Sequence, residues 1–101
     1  MVNPKKKIPD ITEWQRLFNI NFWSTLNIIS CAEKFLIKSK SSIICISSIC
    51  GLESIKGAPI PYSVAKSALN SYVVNQSKFF GEYKTRINAI APGNIIFKGS
   101  T

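Results

Sequence analysis

Histidine is absent from this 101-residue chain, and cysteine is scarce, with Cys31, Cys45 and Cys50 the three present. Without histidine, and with an odd number of thiols in apolar settings, neither a zinc site nor a disulfide framework is expected. Free thiols in a reducing cytosol fit better. Acidic residues are also few: 5 Asp and Glu stand against 13 Lys and Arg, for a net charge of +8. Such a balance raises nucleic acid as a partner. The lysines, however, are scattered (Lys34, Lys38, Lys40, Lys56, Lys78, Lys84, Lys98) and form no tight stripe with interleaved aromatics, so no specific nucleic-acid binding is expected. Long apolar runs are missing too. None approaches the ~20 residues needed to span a bilayer. The basic Lys5-Lys6-Lys7 is followed by no apolar signal core, so the expectation is a cytoplasmic protein with no membrane association.

What is present is an apolar content of 46%, enough for one small packed core. Residues 1–9, with Pro4 and Pro9 around the lysines, read as an exposed loop. Asp10 or Thr12 can cap a helix, Thr12 and Gln15 having capping-box spacing. Trp14, Leu17, Phe18, Phe22, Leu26, Ile29 and Leu36 then recur at helical intervals, predicting a helix from about 12 to 38. Asn21 shares that face. A buried amide must be hydrogen-bonded, so Asn21 is either a satisfied core residue or a functional one.

Ser41 to Ser48 (SSIICISS) is a short apolar run ending in hydroxyls, as in a strand buried on both faces of a parallel sheet. Chemistry in open α/β sheets gathers beyond such carboxyl ends. A loop with Gly57, Pro59 and Pro61 leads to a helix over about 61–80, Pro61 lying in its first turn. Its packing positions are Ala65, Ala68, Leu69, Tyr72, Val73 and Phe80, and Gly81 is a natural C-cap. Arg86 to Ala91 reads as a second buried strand, broken by Pro92-Gly93. Strand–helix–strand implies parallel pairing by a right-handed crossover. Two strands alone do not make a stable doubly wound sheet. The expected fold is therefore α/β, a helix-strand-helix-strand portion of a Rossmann-like, doubly wound parallel sheet. Residues 1–101 form a single incomplete segment.

Tyr62 and Lys66 lie four residues apart on this second helix, hence one above the other on one face. An ammonium held beside a phenol favours the phenolate, which suits a tyrosine to giving and taking a proton. Ser48 can supply a second hydrogen bond to the same substrate oxygen. The Tyr-x-x-x-Lys spacing by itself is more often a surface pair than a catalytic one, and its neighbours decide the weighting.

Together the segments WQRLFNIN (14–21), ISSICG (46–51), YSVAKSAL (62–69) and RINAIAPG (86–93) resemble the short-chain dehydrogenase/reductase family, in the family's order and at nearly its intervals. The resemblance covers residues from about 10 to 97. It implies a catalytic Asn21, Ser48, Tyr62 and Lys66, with Ser48 preferred to Ser47 because Gly51 keeps the family's offset. Tyr62 would be the acid/base, Lys66 would assist it and bind the nicotinamide ribose, and Ser48 would polarise the substrate oxygen. Asn21 would hold a relay water. Tyr62, Lys66, Pro92, Gly93 and the Ile95 backbone would contact NAD or NADP, and the substrate would be a small alcohol or ketone. The family further suggests a homo-oligomer through the two long helices, using Phe22, Ile28, Tyr72 and Phe79.

The sequence departs from the family in holding no glycine-rich Thr-Gly-x-x-x-Gly-x-Gly turn and no Asn-Asn-Ala-Gly segment, so the N-terminal dinucleotide-binding half is read as absent. Phe97 also stands where the family often has threonine. Two functional readings follow. One is an oxidoreductase segment for nicotinamide-dependent hydride transfer. The other is an inactive remnant or an interaction-only fragment of such an enzyme.

Overall fold

The computed structural model describes residues 8–52 and 57–93. Helix α1 (Ile11–Phe18) opens at Asp10, whose carboxylate accepts the Glu13 N–H at 3.0 Å. Asp10 takes the cap because its extended backbone (φ −86°, ψ 172°) aims the side chain at the orphan amides, while Thr12 is already inside the helix. The run expected over about 12–38 is helical from 11 to 39, but its winding changes midway. Asn19–Trp23 forms a wide π turn, with the Ser24 N–H reaching back five residues to the Asn19 carbonyl. Helix α2 (Ser24–Ser39) follows and stops at Lys40, which adopts a left-handed backbone with φ 52°.

Strand β1 (Ser42–Ile46) leads through a 3-10 turn (Ile49–Gly51) to helix α3 (Ile60–Glu82) and strand β2 (Arg86–Ile90). Gly81 does not cap α3. The helix runs past it to Glu82, and Lys84 (φ 61°) takes the left-handed position instead. The reversal is set by Thr85, whose N–H donates to the Phe80 carbonyl at 3.0 Å. Its buried hydroxyl donates to the Leu36 carbonyl at the end of α2, also at 3.0 Å. Helix α3 therefore continues until Thr85 can reach α2.

The strands pair in parallel, with Ser42 opposite Arg86 and Ile46 opposite Ile90. Ladder bonding continues past both strands, the Ser47 N–H donating to the Ile90 carbonyl at 2.7 Å and the Ile49 N–H to the Pro92 carbonyl at 3.1 Å. Ile29, Cys45, Leu69, Val73, Phe80 and Ile87 form the core, with Phe22, Leu36, Ile37, Ile43, Tyr72 and Phe79 packed around it. Each fully buried large side chain, such as Leu69 or Phe80, contributes ~1.5–3 kcal/mol.

The strands are not buried on both faces as expected. Successive side chains point to opposite sides of a sheet. Ile43, Cys45 and Ile87 belong to the helix-covered side, while Ile44, Ile46 and Ile90 on the other are 58%, 59% and 50% exposed. Among the described residues all helical cover lies on the first side. The thiols also differ from expectation: Cys45 is buried and Cys50 partly so, but Cys31 is exposed on α2. Of the residues expected at an oligomer face, Phe22 and Tyr72 meet edge to face at 6.4 Å and Phe79 packs against the core. Ile28 remains exposed.

Burial pushes the Cys45 thiol up from its ordinary 9.0. The Tyr72 phenol is likewise pushed up from 10.0 by burial, opposed by its hydrogen bond with Gln76 and reinforced by Cys45 and Glu33. Both groups hold their protons longer folded than unfolded. Their stability is complete below their ordinary values and is lost as pH rises through the raised ones. The urea midpoint is expected to fall between pH ~8 and pH ~10.5, and to fall less in a Cys45→Ala/Tyr72→Phe double variant. Lys84→Gly, which relieves a left-handed non-glycine residue, is expected to stabilise the fold by ~0.5–1 kcal/mol in the same assay.

Candidate active site

Of the expected site residues, Ser48, Tyr62, Lys66, Pro92 and Gly93 lie on the segments where β1 and β2 end and α3 begins. Ser48 follows β1 in extended conformation (φ −159°, ψ 153°) and caps the 3-10 turn, its Oγ accepting the Cys50 N–H at 3.2 Å. It is 8% exposed. The neighbouring Ser47 is 3% exposed, and its Oγ has no hydrogen-bond partner among the described residues. Strand alternation places Ser47 on the helix-covered side with Cys45, and the extended backbone of Ser48 turns its hydroxyl away from there.

Helical spacing brings Lys66 to Tyr62 as the sequence predicts. Its Nζ stands 5.7 Å from the centre of the Tyr62 ring, within cation–π range. The same Nζ donates to the Ile46 carbonyl at 3.1 Å. An ammonium carries three donors, so two remain for other partners. Tyr62 and Lys66 are both half-buried, leaving them a path to solvent or ligand. The Pro92 carbonyl is tied to Ile49, one residue from Ser48. Gly93 is exposed, and a Cβ there would meet only an ordinary contact at 3.8 Å from Ile49 Cδ1. Ile95 and Phe97 lie outside the described residues.

Asn21 occupies the centre of the π turn, and its Nδ2 donates to the Leu17 carbonyl at 2.9 Å. Its amide is thus hydrogen-bonded within its own helix. The π turn packs against α3, but among the described residues no hydrogen bond joins Asn21 to Ser48, Tyr62 or Lys66.

Two contacts hold the serine turn on α3, and the spacing of the motifs marked Gly51 but not the α3 residues that meet it. Gly51 lies directly on α3, where an added Cβ would fall 2.9 Å from the Lys66 carbonyl carbon, 3.0 Å from Lys66 Cβ and 2.8 Å from Asn70 Nδ2. Ser67 Oγ donates to the Gly51 carbonyl at 2.7 Å. Ser67 and Asn70 fall after the lysine, where no chemical requirement singles them out. Asn70 Nδ2 is buried and, among the described residues, without a hydrogen-bond partner.

Comparison with known proteins gives a match to the family model described as enoyl-(acyl carrier protein) reductase over residues 3–99. Isoepoxydon dehydrogenase of Penicillium expansum is 34% identical over 87 residues, covering 85% of this chain and 34% of the relative. The 3-oxoacyl-[acyl-carrier-protein] reductase FabG of Chlamydia trachomatis is 38% identical over 84 residues, 82% of this chain and 34% of the relative. Among solved structures, a Brucella ovis oxidoreductase of the short-chain dehydrogenase/reductase family, in complex with partially ordered NAD, superposes with a TM-score of 0.79. It is 30% identical, and the match covers 87% of this chain and 40% of that one. The chain thus spans about a third of the length of the curated relatives it matches.

The glycine contact is open to a direct check. Gly51→Ala places a methyl against main-chain atoms that cannot rotate away, so it is expected to cost ~1–3 kcal/mol by urea denaturation. Gly93→Ala, with room at 3.8 Å, is expected to cost less than Gly51→Ala in the same assay.

Proposed function

The chain belongs to the short-chain dehydrogenase/reductase family, and from that premise we propose that it carries the proton-handling part of a nicotinamide-dependent oxidoreductase site. The observation that supports this most is the 3.1 Å bond from Lys66 Nζ, which stands over the Tyr62 ring, to the Ile46 carbonyl at the end of the strand that leads into Ser48. Tyr62 acts as the acid in reduction, its O–H giving a proton to the carbonyl oxygen, and as the base in the reverse direction. Ser48 donates to the same oxygen and holds it in place as negative charge develops there. Lys66, anchored by the Ile46 carbonyl, keeps a positive charge beside the Tyr62 ring. Asn21 orders a water in the relay from Lys66 to solvent.

When bound, the cofactor would supply the hydride as NADH or NADPH in reduction and accept it as NAD or NADP in the reverse direction. Among the described residues Lys66 spends one of its three donors, on the Ile46 carbonyl, which fits it to the ribose hydroxyls of the cofactor's nicotinamide end; the Pro92–Gly93 turn, tied to Ile49, and Ile95 would line the nicotinamide. The substrate class is a small alcohol or ketone. We also propose a homo-oligomer through α2 and α3, whose outward Ile28, Phe35 and Val74 are exposed, and a cytoplasmic setting that keeps the thiols reduced.

A binding-only, catalytically silent chain is the competing reading. It is favoured by the bare Ile44, Ile46 and Ile90, an apolar face open to a partner. Titration of NADH and NADPH, followed by nicotinamide fluorescence, separates the two. Saturable binding weakened about tenfold or more by Lys66→Ala is expected, since that variant loses a charge-assisted bond. Tyr62→Phe is expected to keep the binding and abolish turnover of a small ketone. A folded chain that binds neither nucleotide would sink the proposal and leave the silent reading standing.

A further inference from the structure

We propose that Ser67 is a positioning residue, which fixes the Ser48 hydroxyl relative to Tyr62 and Lys66 by holding the intervening turn through the carbonyl of Gly51. The inference rests on the role given above to Ser48. Among the described residues no hydrogen bond joins Ser48 to α3. Ser48 caps a three-residue turn, and the turn must be fixed if the hydroxyl is to keep its distance from the phenol.

Three contacts fix the turn. Its beginning is tied to β2 by the Ile49 N–H bond to the Pro92 carbonyl. Its end rests on α3 without a side chain between, since Gly51 faces the main chain of Lys66 and the amide of Asn70. There the 2.7 Å bond from Ser67 Oγ to the Gly51 carbonyl supplies the one directional contact with α3 among the described residues. Steric contact alone sets a closest approach but does not stop the turn from lifting away. The hydrogen bond does. Ser67 directly follows Lys66, so one turn of α3 holds both the ammonium and the anchor of the serine turn. Within the turn the Gly51 N–H donates to the Ser48 carbonyl at 2.9 Å and the Cys50 N–H to Ser48 Oγ, so displacement at Gly51 is passed to the hydroxyl.

Amide exchange and amide shifts, followed by NMR on the full chain, test this with Ser67→Ala, Ser67→Thr and Ser48→Ala. Alanine is the best helix former, so Ser67→Ala removes the bond without unsettling α3. The expected result is exchange about tenfold faster at Cys50, Gly51 and Leu52, with Leu69, Val73, Phe80 and Ile87 unchanged. The Cys50 amide shift should also move towards its value in Ser48→Ala, and Ser67→Thr should restore both signals. Unchanged turn amides, or acceleration of turn and core together, would overturn the proposal. A Cys50 shift that stays at the wild-type value would do the same. Nicotinamide binding is measured separately: its absence from the wild-type chain would count against the catalytic role of Ser48, while the exchange data still decide the anchoring.

Discussion

Everything at the candidate site hangs on the approach of one main chain to another with no side chain between them, where Gly51 rests on Lys66. The parallel ladder delivers β1 to this point and continues one residue pair beyond it, through Ser47 and Ile49, so the serine turn leaves the sheet already tied to β2. Helix α3 then has to lie close enough for Lys66 to reach the Ile46 carbonyl. A residue with a Cβ at position 51 would hold helix and turn apart, and the lysine, tyrosine and serine would lose their common neighbourhood. The family resemblance and the local physics meet at this glycine, since the offset that marks it in the sequence is the spacing that lets two backbones touch.

The far end of the molecule is held by a different device. Thr85 is almost fully buried and spends its hydroxyl on the last turn of α2, joining the ends of both long helices to the start of β2. Packing between these anchors comes from α3, whose Ala65, Leu69, Val73 and Phe80 form one buried line. A polar anchor at each end and an apolar line between them set the separation of helix and sheet, and with it the geometry available to Tyr62.

Much of this was legible in the residues. The apolar spacing of α3 located Ala65, Leu69, Val73 and Phe80, and the four-residue step placed Lys66 at Tyr62. Three features were not. The π turn at Asn19–Trp23 is invisible to a pattern search that assumes 3.6 residues per turn, because the neighbouring apolar residues fit either winding. Gly81 had the composition of a helix cap, but a tertiary bond from Thr85 carried α3 past it and left the left-handed position to Lys84. The exposure of Ile44 and Ile46 follows from which elements cover the sheet, and an apolar run does not state what covers it. Ser67 was passed over for a related reason: a serine on a helix surface is ordinary until the carbonyl it reaches is known.

The one-sided sheet has a practical side as well. Row upon row, the outward positions of β1 and β2 present isoleucine at 44, 46 and 90 to water, on strands whose outer edges are short and unpaired among the described residues. Surfaces of this kind attract their own copies, and they do so from the native state, before any unfolding takes place. For a preparation of this chain, shelf life would then depend on concentration as well as on temperature. Dilution lowers how often such faces meet and cooling weakens the attraction between them, so both would act in the same direction.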